Sequence, residues 1–225
     1  MTTKVKICGI KCEAALDAAL EGGADFIGLV LFPNSPRYVD EATAEALARR
    51  TRERSRAKVV ALLVDPDDEL VARVSDRVRP DLLQLHGHES PERVAEIRSR
   101  AKLAIMKAWS VASKEDAAGA AAYFAPGERA DIILFDAKPP EDPSALPGGN
   151  GLSFDWRILE AVRGRFPFAL AGGLTPDNVA DAIRLTGAAI VDVSSGVEVR
   201  PGDKDPELIR GFLRAAKAAK QAADL

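Results

Sequence analysis

The sequence predicts an α/β fold, a (β/α)₈ barrel forming a single domain over residues 1–225, on three observations. Short apolar, β-branched runs recur eight times, and an amphipathic, Ala-rich segment follows each of them. Several of these runs are apolar almost throughout, the pattern of parallel strands buried on both faces. Eight β-then-α units in 225 residues match the compact end of the size range of a closed parallel barrel.

The units follow in order. Val5–Ile7 precedes a helical pattern near 12–22, and Phe26–Leu31 precedes one near 40–54 that Asp40 is placed to cap. Val59–Val64 leads to 67–78, introduced by Asp65-Pro66, and Leu82–Leu85 to 90–100, where Ser90-Pro91 offers a capping hydroxyl and a first-turn proline. Ala104–Ala108 and 113–123 form the fifth unit, Ile132–Phe135 and 154–163 the sixth. Phe168–Ala171 with 176–186 opens on Thr175-Pro176, and Ala189–Val193 with 205–222 on Asp205-Pro206. An open doubly wound sheet is the rival, but it usually carries a Gly-rich turn after its first strand, where this chain has Cys8-Gly9-Ile10. The Pro/Gly-rich stretch Lys138–Gly151 falls inside the sixth unit rather than between two cores. Its length suits a functional loop better than a linker.

Bulk composition excludes several classes. A formal net charge of −3, with both signs mixed along the chain, offers no basic face for nucleic acid. No apolar run approaches the ~20 residues that span a bilayer, and the start lacks a secretory signal, so a cytoplasmic protein is expected. The two cysteines, Cys8 and Cys12, would close too small a loop for a useful disulfide. With His86 and His88 far off in sequence, they do not make a metal site either. Nothing in the sequence chooses between a monomer and a homodimer.

In such barrels chemistry resides at the C-terminal ends of the strands. This sequence places Cys8, Arg37, His86, Asp136, Asp192 and two Gly/Ser-rich turns there. Gly172-Gly173 after the seventh strand and Ser194-Ser195-Gly196 after the eighth offer approachable backbone N–H groups, the common phosphate site of the fold. A small phosphorylated substrate follows. Cys8 is either a small buried apolar residue or a rim thiol able to accept a proton; Cys12, one turn into the first helix, is a packing residue. Asp136 ends a buried strand, so its carboxyl must be paired, hydrogen-bonded or protonated. It is either a general acid or one half of an ion pair with Lys107 or Lys138. Arg37 suits a substrate carboxylate through bidentate pairing, or else a salt bridge that holds its loop. His86 is a core residue, a substrate contact or a support to one, and His88 is solvated.

Lys6-Ile7-Cys8-Gly9-Ile10, Gly23-Ala24-Asp25-Phe26-Ile27-Gly28 and Phe32-Pro33-Asn34-Ser35-Pro36-Arg37 resemble the opening of phosphoribosylanthranilate isomerases. So do Gln84-Leu85-His86-Gly87-His88-Glu89, Phe135-Asp136, Phe154-Asp155-Trp156, Leu170-Ala171-Gly172-Gly173-Leu174 and Asp192-Val193-Ser194-Ser195-Gly196-Val197-Glu198, in family order from residue 4 to about 212. The resemblance implies an Amadori rearrangement of N-(5-phosphoribosyl)anthranilate in tryptophan biosynthesis, with neither cofactor nor metal. It implies Cys8 as general base, Asp136 as general acid, Arg37 facing the anthranilate carboxylate, and Asp192 near the sugar. Pro147-Gly148-Gly149-Asn150-Gly151 departs from the Gly-Gly-Thr-Gly of many members, which puts a hydroxyl role at position 150 in doubt. Two alternatives stand beside it: a Schiff-base aldolase using Lys107 or Lys138, and a non-catalytic phosphosugar-binding barrel.

Overall fold

The computed structural model describes residues 3–138, 148–149 and 151–219. Eight parallel strands close into a barrel in sequence order, each hydrogen-bonded to the next and β8 to β1. They are β1 (Lys4–Cys8), β2 (Phe26–Val30), β3 (Lys58–Leu63), β4 (Leu82–Leu85), β5 (Ala104–Val111), β6 (Ile132–Ala137), β7 (Phe168–Leu170) and β8 (Ile190–Val193). Outside run α1 (Glu13–Glu21), α2 (Glu41–Arg54), α3 (Asp68–Arg77), α4 (Pro91–Ala101), α5 (Lys114–Gly119), α6 (Val179–Thr186) and α7 (Pro206–Ala218). A two-stranded antiparallel ribbon, β9 (Glu198–Arg200) and β10 (Asp203–Lys204), precedes α7.

Alternation along each strand makes two cores. Outward-facing residues such as Ile7, Leu29, Leu83 and Val191 pack under the helices. Inward-facing Phe26, Val60, Leu82, Met106, Leu134, Ala169 and Ile190 fill the lower barrel. The same parity carries the next inward positions, Cys8, Val30 and Leu62, to the upper end. Asp136, two residues beyond Leu134, and Asp192, two beyond Ile190, follow the rule. A polar floor on an apolar plug results.

Several expected element ends shift. Asp40, Ser90 and Asp205 cap α2, α4 and α7 through side-chain acceptors, and Pro91 and Pro206 occupy the first turn. Asp67, not Asp65, caps α3, its carboxylate accepting from the Leu70 N–H at 2.7 Å. Asp65 instead adopts a positive φ of 44° and accepts from the His88 N–H. Thr175-Pro176 forms a turn ahead of α6, which starts at Val179 behind Asn178. The sixth helix is a 3₁₀ segment, Trp156–Ala161, and α5 ends at Gly119, with a 3₁₀ turn over Ala120–Ala122. Cys12 stands exposed at the N-cap of α1 rather than one turn inside it, so it does not pack in the core as expected. Pro147, Asn150 and the end of the last predicted helix, 220–222, lie outside the described residues.

Lys107 departs from the expected rim position. It occupies the outward parity of β5 that Ile105 also has, and its ammonium donates to Glu89 Oε2 and the Gly87 carbonyl at 2.8 Å each. It therefore pairs with Glu89 and not with Asp136. Both side chains are almost wholly buried, and Glu89 also accepts from the N–H groups of Asp65 and Gly87, fixing the loops after β3 and β4. Glu89→Ala strands a buried ammonium, and unfolding in urea should show a loss of about 3–5 kcal/mol. A loss within experimental error would mean that water or another acceptor replaces the carboxylate.

Candidate active site

The cavity at the C-terminal end of the barrel is lined by Cys8, Arg37, Gln84, His86, Asp136 and Asp192. Gly172, Gly173, Ser194 and Ser195 edge it on the β7–β8 side. The structure thus gathers at one mouth residues drawn from positions 8 to 195. Gly196 is the exception among the predicted phosphate residues: it is absent from the lining and packs against the Leu174 carbonyl, where a Cβ has no room.

Cys8 is buried and stands opposite Gly28, its partner in the β1–β2 register. A Cβ at residue 28 would lie 2.9 Å from Cys8 Sγ and 3.2 Å from Lys6 Nζ, so the missing side chain brings thiol and ammonium together. Lys6, two residues before Cys8 on the same strand face, is fully buried and pairs with Asp192 Oδ2 at 2.9 Å. That pair follows from register, since Lys6 lies directly beside Asp192 across β1 and β8. Burial pushes the Cys8 thiol above its ordinary range, and the Lys6 charge opposes that only in part. Asp192 is also pushed up, first by burial, with Lys6 opposing and the Asp136 charge adding to the rise. Its Oδ1 is buried without a hydrogen-bond partner among the described residues.

Asp136 is buried at the top of β6, with Oδ1 accepting from the Ala137 N–H at 2.8 Å. Its Oδ2 faces His86 Nε2 at 3.6 Å, too far for a formed hydrogen bond. The Gln84 amide donates to His86 Nδ1 at 2.9 Å, which assigns the ring proton to Nε2, on the side of Asp136. Gly148 closes over this pair, with no space for a Cβ beside His86 Nε2. His88, by contrast, is solvated, its side chain 95% exposed.

Arg37 lies between two glycines. Its aliphatic stem covers Gly9, where an added Cβ would sit 2.8 Å from Cδ, and its guanidinium meets Gly149. The Nε–Nη2 edge is already engaged, donating to both oxygens of Glu198 at 2.8 Å, and Nη2 also donates to the Gly149 carbonyl at 3.1 Å. Bidentate pairing therefore exists, but with the protein's own carboxylate. Nη1, the nitrogen outside that pair, lies against Gly149, where an added Cβ would sit 2.5 Å from it, and Arg37 is among the residues that line the cavity.

Sequence reading missed Lys6, Gln84, Glu198 and Lys204. The first two had a signal, since each stands two residues before a singled-out residue on the same strand face. Glu198 and Lys204 lie on the β9–β10 ribbon, which no periodicity announced.

Comparison with known proteins gives the family. The family model of N-(5′-phosphoribosyl)anthranilate (PRA) isomerase matches residues 5–215. The chain belongs to that family. The N-(5′-phosphoribosyl)anthranilate isomerase of Rhodopseudomonas palustris strain BisA53 is 53% identical over 221 residues, covering 98% of this chain and 99% of the relative. That of Paramagnetospirillum magneticum is 51% identical over 220 residues, covering 98% and 100%. Among solved structures, the Thermotoga maritima phosphoribosylanthranilate isomerase superposes with a TM-score of 0.83 at 34% identity, over 96% of this chain and 99% of that one. A phosphoribosylanthranilate isomerase in complex with reduced 1-(o-carboxyphenylamino)-1-deoxyribulose 5-phosphate gives 0.81 at 32% identity, with the same coverage. The chain is thus an isomerase by family, and its fold matches solved members along nearly its whole length.

Proposed function

We propose that this isomerase converts N-(5′-phosphoribosyl)anthranilate to 1-(o-carboxyphenylamino)-1-deoxyribulose 5-phosphate, with Asp136 as general acid and Cys8 as general base. The observation that carries the assignment of roles is the pair of environments: a buried carboxyl beside an imidazole N–H, and a buried thiol beside an ammonium. A protonated Asp136 gives its proton to the furanose ring oxygen as the C1′–O bond breaks, leaving a Schiff base between C1′ and the anthranilate nitrogen. The new Asp136 carboxylate then accepts from the His86 Nε2–H, which has no other hydrogen-bond partner among the described residues. Cys8 as thiolate removes the C2′ proton, and the C–H electrons form a C1′–C2′ double bond while the imine electrons pass to nitrogen. The enolamine tautomerises to the ketone. Lys6 lies where it stabilises the thiolate, and the unpartnered Oδ1 of Asp192 suits a sugar hydroxyl.

Gly172, Gly173, Ser194 and Ser195 supply the phosphate end, and the Nη1 side of Arg37 the carboxylate end. Under this reading Arg37→Ala chiefly raises KM, by about 10- to 100-fold, as for loss of a charged hydrogen bond, with kcat little changed. An unchanged KM removes Arg37 from the substrate site. The aldolase reading loses its first candidate, because the Lys107 ammonium is held by Glu89 outside the cavity lining. The deciding experiment is fluorescence-monitored turnover of N-(5′-phosphoribosyl)anthranilate by the purified protein. Absence of turnover, or a borohydride-trapped lysine adduct, refutes the proposal.

A further inference from the structure

Glu198 lies on the β9–β10 ribbon with its side chain 3% exposed, and among the described residues its carboxylate pairs with two cations. Both carboxylate oxygens accept from Arg37 at 2.8 Å. On its other side stands Lys204, its cross-strand neighbour in the ribbon, whose ammonium donates to Glu198 Oε1 and to the Ser194 carbonyl, the latter at 3.1 Å. Two cations against one carboxylate leave this buried cluster with a net charge of +1, a sensible potential for an anionic ligand. Charge alone, however, does not explain why a carboxylate belongs there, since its removal would make the cluster still more attractive to anions.

Geometry does explain it. The Arg37 stem is pinned on Gly9 and its head against Gly149, and the remaining freedom is rotation of the guanidinium about its long axis. Glu198 removes that freedom by taking the Nε–Nη2 edge in a planar two-point pair, which leaves Nη1 as the nitrogen of this cavity-lining residue outside the pair. We infer that Glu198 is a positioning residue for substrate recognition, fixing through Arg37 the orientation in which the substrate carboxylate is received. The inference rests on the proposed role of Arg37 at that carboxylate. Burial alone would push the Glu198 carboxyl up, yet the Arg37 and Lys204 contacts outweigh burial and hold it below the usual range, so it stays ionised and keeps both partners.

Glu198→Gln separates positioning from charge, because the isosteric amide keeps the volume while exchanging one acceptor for a donor that opposes Arg37. Positioning predicts a KM raised about tenfold or more with kcat within about threefold. A pure charge effect predicts the reverse, a lower KM in a more cationic pocket. In the Arg37→Ala background the substitution should change KM by less than about twofold, because its effect passes through Arg37. Wild-type turnover and the KM of Arg37→Ala test the parent reading separately. With both as expected, an unchanged or lowered KM in Glu198→Gln overturns the positioning role. So does an equal KM rise in the Arg37→Ala background, the mark of a general disturbance of the ribbon.

Discussion

Asp136→Asn is expected to lower kcat by about 10²–10⁴-fold, the usual scale for a positioned general acid. The carboxamide has the same shape, and its oxygen still accepts from the Ala137 N–H that Oδ1 now receives at 2.8 Å. What it lacks is a proton acidic enough to give to a departing ring oxygen. The fold should not suffer, because Asp136 adds negative charge near Asp192 and contributes to pushing that carboxyl up. The informative contrast is therefore a collapse of turnover, with KM changed by a few-fold and a melting temperature at or above that of the wild type. A variant that turns over at nearly the wild-type rate would remove Asp136 from the chemistry. Adding His86→Ala to Asp136→Asn should then cost little more, since the Nε2–H acts on a carboxylate that the single variant never forms.

Much of this site is legible in the sequence, and the legible part has a common cause. In a parallel barrel the inward parity of each strand is continuous, so a polar residue ending an apolar run must point into the mouth, as Cys8, Asp136 and Asp192 do. Lys107 shows where that logic needs one more step: it also follows apolar residues, but its parity is outward, and it serves the Glu89 pair under the helices. Arg37 shows a different limit. Its loop and its guanidinium pointed to a carboxylate, yet the first carboxylate it meets is Glu198, 161 residues on, brought near by a ribbon of only five strand residues. The sequence predicts a sixth helix over 154–163 where the 3₁₀ segment Trp156–Ala161 stands, because apolar spacing over so short a stretch suits either winding. At α3 the boundary moves because two capping residues stand close together, Asp65 and Asp67, and it is the Asp67 carboxylate that reaches the N3 amide.

Cys8→Ala is expected to match or exceed the loss in Asp136→Asn, about 10²–10⁴-fold in kcat, and Cys8→Ser to fall nearly as far, since a hydroxyl in the same place is a far weaker base. The thiol's own titration gives the more searching test. Burial, the largest influence, favours the neutral thiol, and the Asp192 charge acts in the same direction. Lys6 and, more weakly, Lys204 favour the thiolate without prevailing. The thiolate absorbance of wild-type protein, after subtraction of the Cys8→Ala variant to remove the exposed Cys12, should therefore rise at a pH above the ordinary thiol range. Lys6→Met should move that rise to higher pH still, because it removes the strongest stabiliser of the thiolate and leaves Asp192, if ionised, with its repulsion unopposed. A rise at or below the ordinary thiol range, or a downward move in Lys6→Met, would show that the buried ammonium does not govern the base. The outcome bears directly on catalysis. A thiol held neutral in the free enzyme is a strong base once ionised, so the site gives up population of the reactive form in return for basicity toward the C2′ proton.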